Sequence, residues 1–323
     1  MNLRFLSVFA GLFAATAAAA ASAQGPVALD PAKLKLASAN VLVLDATDNH
    51  PLYTKSADEV TPIASLTKLM TAIVTLEGGQ SLEEPIAIDM DDFDYVKGTR
   101  SRLGLGTELT RREMLRLALM SSENRAASSL ARSYPGGTPA FVAAMNAKAQ
   151  ALGMTHTHYA DPTGLSPDNV STARDLALVV GAAAQYPLIR EFSTTGSHYV
   201  EAGPSGRLLA FNNTNKLVKN SQWDIQLSKT GYIREAGKCL VMLATIGSRP
   251  FVIVLLDSAG KFTRVADALR VRHWLETGET LPAHAGGNGA KAVRTKARVS
   301  GTLPAGKLAQ GSRGLKPAKA RGV

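Results

Sequence analysis

Ile225 to Ile246 reads IQLSKTGYIREAGKCLVMLATI, and it decides the fold. Ile225–Thr230 and Cys239–Ile246 are strand-like runs, and Glu235-Ala236-Gly237 lies between them as a turn. A third run, Phe251–Leu256, follows Gly247-Ser248-Arg249-Pro250. Connections this short join only antiparallel neighbours. Working outward, Val41–Leu44 ends at Asp45, turns through Asp48-Asn49-His50-Pro51 and returns as Leu52-Tyr53-Thr54, an N-terminal hairpin. The two ends of the chain thus build strands, while the middle reads as helix. Apolar residues at Leu66, Leu69, Met70, Ile73 and Leu76 follow Pro62 with helical spacing and stop at Gly78-Gly79. Thr110 and Glu113 form a capping box ahead of Met114, Thr138-Pro139 opens a helix that closes at Gly153, Ser171 or Thr172 opens another, and Phe262–Leu275 is the last. The expected fold class is α/β, with an antiparallel sheet flanked by helices and a helical subdomain inserted between its strands.

Three short motifs carry chemistry. Ser65-Leu66-Thr67-Lys68 is an S-x-x-K at a helix start, and residues three apart on a helix share a face. A serine needs a base to become a nucleophile, and a desolvated lysine supplies one. The N–H of a residue at a helix start is free to help bind a developing oxyanion. Ser122-Glu123-Asn124 is an S-x-N placed after a helix, and Lys229-Thr230-Gly231 is a K-T-G within a strand. Each triplet is common by chance, but the ordered set is the signature of penicillin-binding proteins and class A β-lactamases. In this pattern Lys229 places positive charge beside a substrate carboxylate, Thr230 hydrogen-bonds it, and Gly231 admits a substrate pairing with the strand backbone.

Longer strings carry the resemblance further: PIASLTKLMTAIV, LALMSSENRAASSLARSYPGG, ADPTGLS with VSTARDLA, NTNKLV, and LSKTGYIREAGKCLVM. Over Ala39 to Leu281 the chain resembles the low-molecular-weight penicillin-binding proteins of the D-Ala-D-Ala carboxypeptidase type, most of all their endopeptidase branch. The resemblance implies a serine β-lactamase/DD-peptidase-like fold. It also implies hydrolysis of a D-alanyl bond in peptidoglycan peptides, the D-Ala to diaminopimelate cross-link, without cofactor or metal. Ser65 would be the acylated nucleophile, Lys68 its base and Ser122 a proton relay to the leaving amine. Asn124 would hold the substrate backbone, Lys229 and Thr230 the carboxylate, the backbone N–H groups of Ser65 and Tyr232 the oxyanion, and Arg264 would be a further carboxylate ligand. β-Lactams would acylate Ser65 as substrate mimics. A DD-carboxypeptidase removing terminal D-Ala is the alternative, with a β-lactamase and a non-catalytic β-lactam sensor behind it. Two departures are expected: no second β-rich domain or amphipathic C-terminal helix like those of the better-known carboxypeptidases, and Glu123 adding a charge within the S-x-N.

The bulk properties bound the rest. Arg4, an apolar run from Phe5 to Ala20, and Ala21-Ser22-Ala23 make a secretory signal over residues 1–23, so the protein is expected in the periplasm with its mature start near Gln24. A single cysteine, Cys239, forms no intramolecular disulfide and reads as a buried structural thiol. The net charge of +10 is concentrated: residues 283–323 hold nine Lys or Arg and no acid, Arg4 sits in the signal, and residues 24–282 are balanced. A nucleic-acid-binding face is therefore not expected. The basic stretch, rich in Gly, Ala and Pro and without aromatics, is read as a disordered tail and a possible tether to anionic envelope polymers, leaving 24–282 as the catalytic domain. His156 and His158 lack the carboxylate or cysteine partners of a metal site. Asp161-Pro162-Thr163-Gly164 reads as a turn, and Asn212, Asn213 and Asn215 as loop hydrogen-bonders.

Overall fold

A central antiparallel sheet joins the two ends of the chain. Its strands are β1 (Asn40–Asp45), β2 (Pro51–Lys55), β3 (Asp224–Ile233), β4 (Gly237–Ile246) and β5 (Arg249–Ser258), in the spatial order β2-β1-β5-β4-β3. The computed structural model describes residues 28–202 and 206–281, so the signal and the basic tail lie outside the described residues. The closing contact is β1 against β5, with Asn40 opposite Leu256 and Asp45 opposite Phe251.

Alternation along the strands feeds two cores. Leu42, Cys239, Val241, Val252, Val254 and Leu256 pack towards the helical middle of the chain. Val41, Val43, Leu240, Met242, Ile253 and Leu255 pack on the other face, against Ala268, Val271 and Trp274 of the last helix. Both faces are covered, which is why the strands read as unbroken apolar runs. Each fully buried aliphatic side chain of these layers contributes about 1.5–3 kcal/mol.

The helices are α1 (Lys68–Glu77), α2 (Arg111–Met120), α3 (Asn124–Arg132), α4 (Gly137–Ala151), α5 (Ala173–Ala183), α6 (Pro187–Thr194) and α7 (Thr263–Thr277). The strands and helices expected from sequence are present, with β3, β4 and β5 longer than their apolar runs. The capping box at α2 is half formed. Thr110 Oγ1 accepts the Glu113 N–H at 3.2 Å, but the Glu113 carboxylate turns away to His198 Nε2, 2.6 Å distant. Thr172 caps α5 by accepting the Asp175 N–H. Helix α1 is buried on every side, from Lys68 to Thr75. It is the central helix of the molecule, and it carries its first residue, a lysine, into the interior.

Candidate active site

The chain enters α1 through a 3-10 turn, Ala64–Thr67, so Ser65 stands on a tight turn rather than within the helix proper. Ala64 has φ +49°, a left-handed conformation uncommon for a residue with a side chain. The turn is held from several sides. The Ile63 N–H donates to Asn169 O at 3.0 Å, Thr67 Oγ1 donates to Ala64 O at 2.8 Å, and Asn169 Nδ2 donates to Thr67 Oγ1 at 3.1 Å. This bracing offsets the strain of the left-handed residue.

Lys68 Nζ lies 2.9 Å from Ser65 Oγ, as the S-x-x-K spacing requires. It donates at 2.7 Å to Asn124 Oδ1 and at 2.6 Å to Thr163 O. Both are pure acceptors. A neutral amine has two N–H bonds and one lone pair, so these two acceptors leave the lone pair for the Ser65 hydroxyl. Lys68 is fully buried, and burial brings its pKa down to about 7, opposed by the negative charges of Asp161 and Glu123. A lysine in this range is a competent general base at neutral pH.

The S-x-N turn follows α2. Ser121 Oγ points back to Leu117 O at 2.8 Å, whereas Ser122, at φ +60°, turns its hydroxyl to Lys229 Nζ at 2.9 Å. Lys229 also donates to Thr230 O at 2.8 Å. Its pKa is held well below the usual lysine value, first by burial and then by the like charges of Lys68 and Arg264. An arriving carboxylate would reverse that balance and favour the ammonium. Thr230 Oγ1 donates to Thr214 Oγ1 at 2.6 Å, which adds Thr214 to the residues of the cleft.

Ser65, Ser122, Asn124, Thr214, Thr230, Gly231, Tyr232 and Arg264 line a cavity of about 830 Å³. Two candidates have a different setting from the one expected. A methyl on Gly231 would lie 3.0 Å from Ile63 O and 3.2 Å from the Ser65 N, so the missing side chain first lets β3 press against the nucleophile turn. Arg264 commits one guanidinium nitrogen to the carbonyls of Gly231 and Cys239, at 2.9 and 3.1 Å. It braces the strand backbone from the cavity wall. Cys239 is buried, and burial pushes its thiol up to about 11, which fits the inert role read from sequence. Asn213 and Asn215 hold loop and core partners (Ser193 O, Thr195 O and Ser228 Oγ), as expected.

The sequence marks Asp161–Gly164 as a turn but assigns it no chemistry. This loop brings the Thr163 carbonyl to Lys68, and Asp161 Oδ1 organises it by accepting from the Thr163 N–H and hydroxyl and the Gly164 N–H. A glycine in a turn signalled the shape, but a backbone carbonyl leaves no mark in a sequence.

A serine on the turn into a central helix, paired with a buried lysine beside an open strand edge bearing a second lysine, defines a class of serine acyl-transfer enzymes. Within it, the chain belongs to the D-alanyl-D-alanine carboxypeptidase family of serine peptidases, whose model matches residues 27–260. The resemblance read from the motifs is thereby borne out. The chain is 50% identical to a D-alanyl-D-alanine endopeptidase of Pseudomonas aeruginosa over 88% of its length and 91% of the relative's. It is 46% identical to a D-alanyl-D-alanine endopeptidase of Escherichia coli K12, covering 85% of this chain and 86% of that one. Among solved structures it matches the DD-transpeptidase of Streptomyces K15 with a TM-score of 0.70 at 28% identity, over 75% of this chain and 98% of that one. The sheet flanked by helices is the architecture expected from sequence.

Proposed function

We propose that the protein is an exported serine DD-endopeptidase that hydrolyses D-alanyl cross-links in peptidoglycan through an acyl-enzyme on Ser65. The observation that carries the reading is Lys68 Nζ, buried, 2.9 Å from Ser65 Oγ and near neutrality in its pKa. The likeness to the two endopeptidases over most of the chain supports the choice of bond. In the reaction Lys68 takes the hydroxyl proton as Ser65 Oγ bonds to the D-alanyl carbonyl carbon. The N–H groups of Ser65 and Tyr232 hold the oxyanion, Asn124 the donor backbone, and Lys229 with Thr230 the carboxylate beside the scissile amide. Arg264 supports that pocket by fixing the strand beneath it. The C–N bond then breaks, and the proton passes through Ser122 to the leaving amine. Water attacks the ester, again yielding its proton to Lys68, and Ser65 is regenerated. No cofactor enters any step, and β-lactams acylate the same oxygen.

The same reading places residues 1–23 as a signal peptide, 24–282 as the catalytic domain in the periplasm, and 283–323 as a basic tail for anionic envelope polymers. Mass spectrometry of products from defined muropeptides tests the central claim. Cleavage of a cross-linked dimer to monomers supports it. Removal of terminal D-Ala from monomers, with dimers left intact, replaces it by a carboxypeptidase.

A further inference from the structure

An ion pair joins the two walls of the cleft. Lys97 Nζ, from the segment before α2, lies 2.5 Å from Glu235 Oε1 in the turn between β3 and β4, and the partners are separated by 138 residues of sequence. Both line the cavity that contains Ser65. Both are partly exposed, 26% for Lys97 and 38% for Glu235, so solvent screens the pair and it opens at little cost. The Lys97 end is positioned by its backbone: Asp94 Oδ1 accepts the N–H groups of Val96 and Lys97, at 2.9 and 2.8 Å.

The direction of β3 says what reaches this place. Lys229 and Thr230 mark the carboxylate end of a substrate, and Gly231 lies against Ser65. A peptide adding to the edge as an antiparallel strand runs opposite to β3. The residues preceding the acylated D-alanine therefore pass Tyr232 and approach Arg234 and Glu235. From Gly231 to the end of β3 at Ile233 is about 7 Å at strand rise, and Glu235 lies in the turn just beyond it. The residue before the acylated D-alanine, with a four-bond side chain, reaches about 10 Å from the scissile carbon.

We infer that Lys97 and Glu235 form a subsite for a zwitterionic amino-acid centre at the end of that side chain, as in meso-diaminopimelate. The centre carries an ammonium and a carboxylate on one carbon. It divides the pair, its carboxylate going to Lys97 and its ammonium to Glu235, so that each protein charge exchanges one partner for another. A side chain ending in an ammonium alone satisfies Glu235 and strands Lys97; an apolar one leaves the pair closed across its path. The subsite rests on the proposed role of Ser65 and names the donor peptide which that role selects.

The test uses the full chain and three synthetic cross-linked donors, X-D-Ala joined through its carbonyl to the side-chain amine at the D-centre of a second meso-diaminopimelate, in which X is meso-diaminopimelate, its distal amide, or norleucine. The expected order of kcat/KM is zwitterion, amide, norleucine, with the difference carried by KM. Lys97→Met should cut the preference for the zwitterion over its amide by about tenfold, and Glu235→Gln should cut the preference for the amide over norleucine by a similar factor. Thermal melting checks that both variants are folded. Equal kcat/KM on all three donors in the parent enzyme overturns the subsite and leaves the proposed function standing. A fall common to all three donors in the variants also overturns it, since a merely structural pair moves every donor alike. Failure of the parent enzyme to cleave any donor while Ser65 still takes penicillin removes the proposed function itself.

Discussion

Gly164 and Ala64 meet backbone to backbone: a methyl group placed on Gly164 would sit 2.0 Å from the Ala64 carbonyl oxygen and 2.8 Å from the Ser65 nitrogen. Gly164 also has φ +79°, so a side chain there is strained as well as crowded. The loop that presents the Thr163 carbonyl to Lys68 and the turn that presents Ser65 are thus one packed unit.

Gly164→Ala should therefore damage catalysis more than folding. The turn must shift to admit the methyl, and a displacement of about 1 Å at a reacting group costs about a hundredfold. The expected result is a folded protein with a lowered melting temperature whose penicillin acylation rate falls by about that factor. Near-normal acylation would show that the contact does not position Ser65.

Acylation should follow the ionisation of Lys68. Its free base is the active form and its pKa is about 7, so the rate with a penicillin, which does not titrate here, should rise through pH 7 and level off above it. Stability runs in the same sense. Between about 7 and the ordinary lysine value near 10.4 the unfolded chain binds the extra proton, so folding strengthens as pH rises across that window. Glu123→Gln removes a charge that raises the pKa of Lys68, and should move the midpoint of the acylation profile down. A midpoint that moves up, or a flat profile, would contradict the assignment. Lys68→Ala should remain folded and lose about three orders of magnitude in acylation.

The penicilloyl ester on Ser65 should persist. An efficient β-lactamase of the class that shares these motifs places a glutamate to activate the deacylating water. Here no glutamate occurs between Glu123 and Glu191, and the nearby Asp161 spends both oxygens on the Thr163, Gly164 and Ser166 donors of its own loop. Peptide mapping after labelling should find the drug on Ser65 alone, with Ser65→Ala unlabelled and buried Cys239 untouched. Catalytic hydrolysis of excess benzylpenicillin within seconds would recast the protein as a lactamase.

Truncation at Pro282 should weaken retention on purified sacculi in low salt. Nine charges of one sign attract an anionic polymer until salt screens them, over about 10 Å at 0.1 M. The full chain should be retained at low salt and released at high salt, and the truncated chain should behave alike in both. Equal retention of the two chains at low salt would show that the tail is not a tether.

The legible parts of the site are those written in short local strings. Ser65 and Lys68 are joined by helical spacing, and Lys229 by strand context, so their roles survive without long-range information. What escaped was written across the fold. Thr163 acts through its carbonyl, Thr214 meets Thr230 from another loop, and Lys97 finds Glu235 across 138 residues. Gly231 was read for what it admits, whereas its hydrogen chiefly clears the Ile63 carbonyl and Ser65 nitrogen. Glu113 was assigned to the cap of α2 because its spacing allows it, but His198 competes for the same carboxylate from a strand 85 residues away. Each miss is a tertiary contact that outweighs a local preference.

The seam between β1 and β5 has a kinetic consequence. Val41 must find Leu255, a partner from the far end of the folded part, before the sheet can close. Contacts of such sequence separation form slowly because a long loop must be ordered first. The strand bearing Lys229 pairs locally with β4, but it reaches the Ser65 turn only when this C-terminal meander docks on the rest of the fold. A newly made chain can therefore hold Ser65 and Lys68 together on their turn and still lack the other wall of the cleft. Hydrolytic competence therefore arrives only when the C-terminal strands have docked against the turn that carries Ser65.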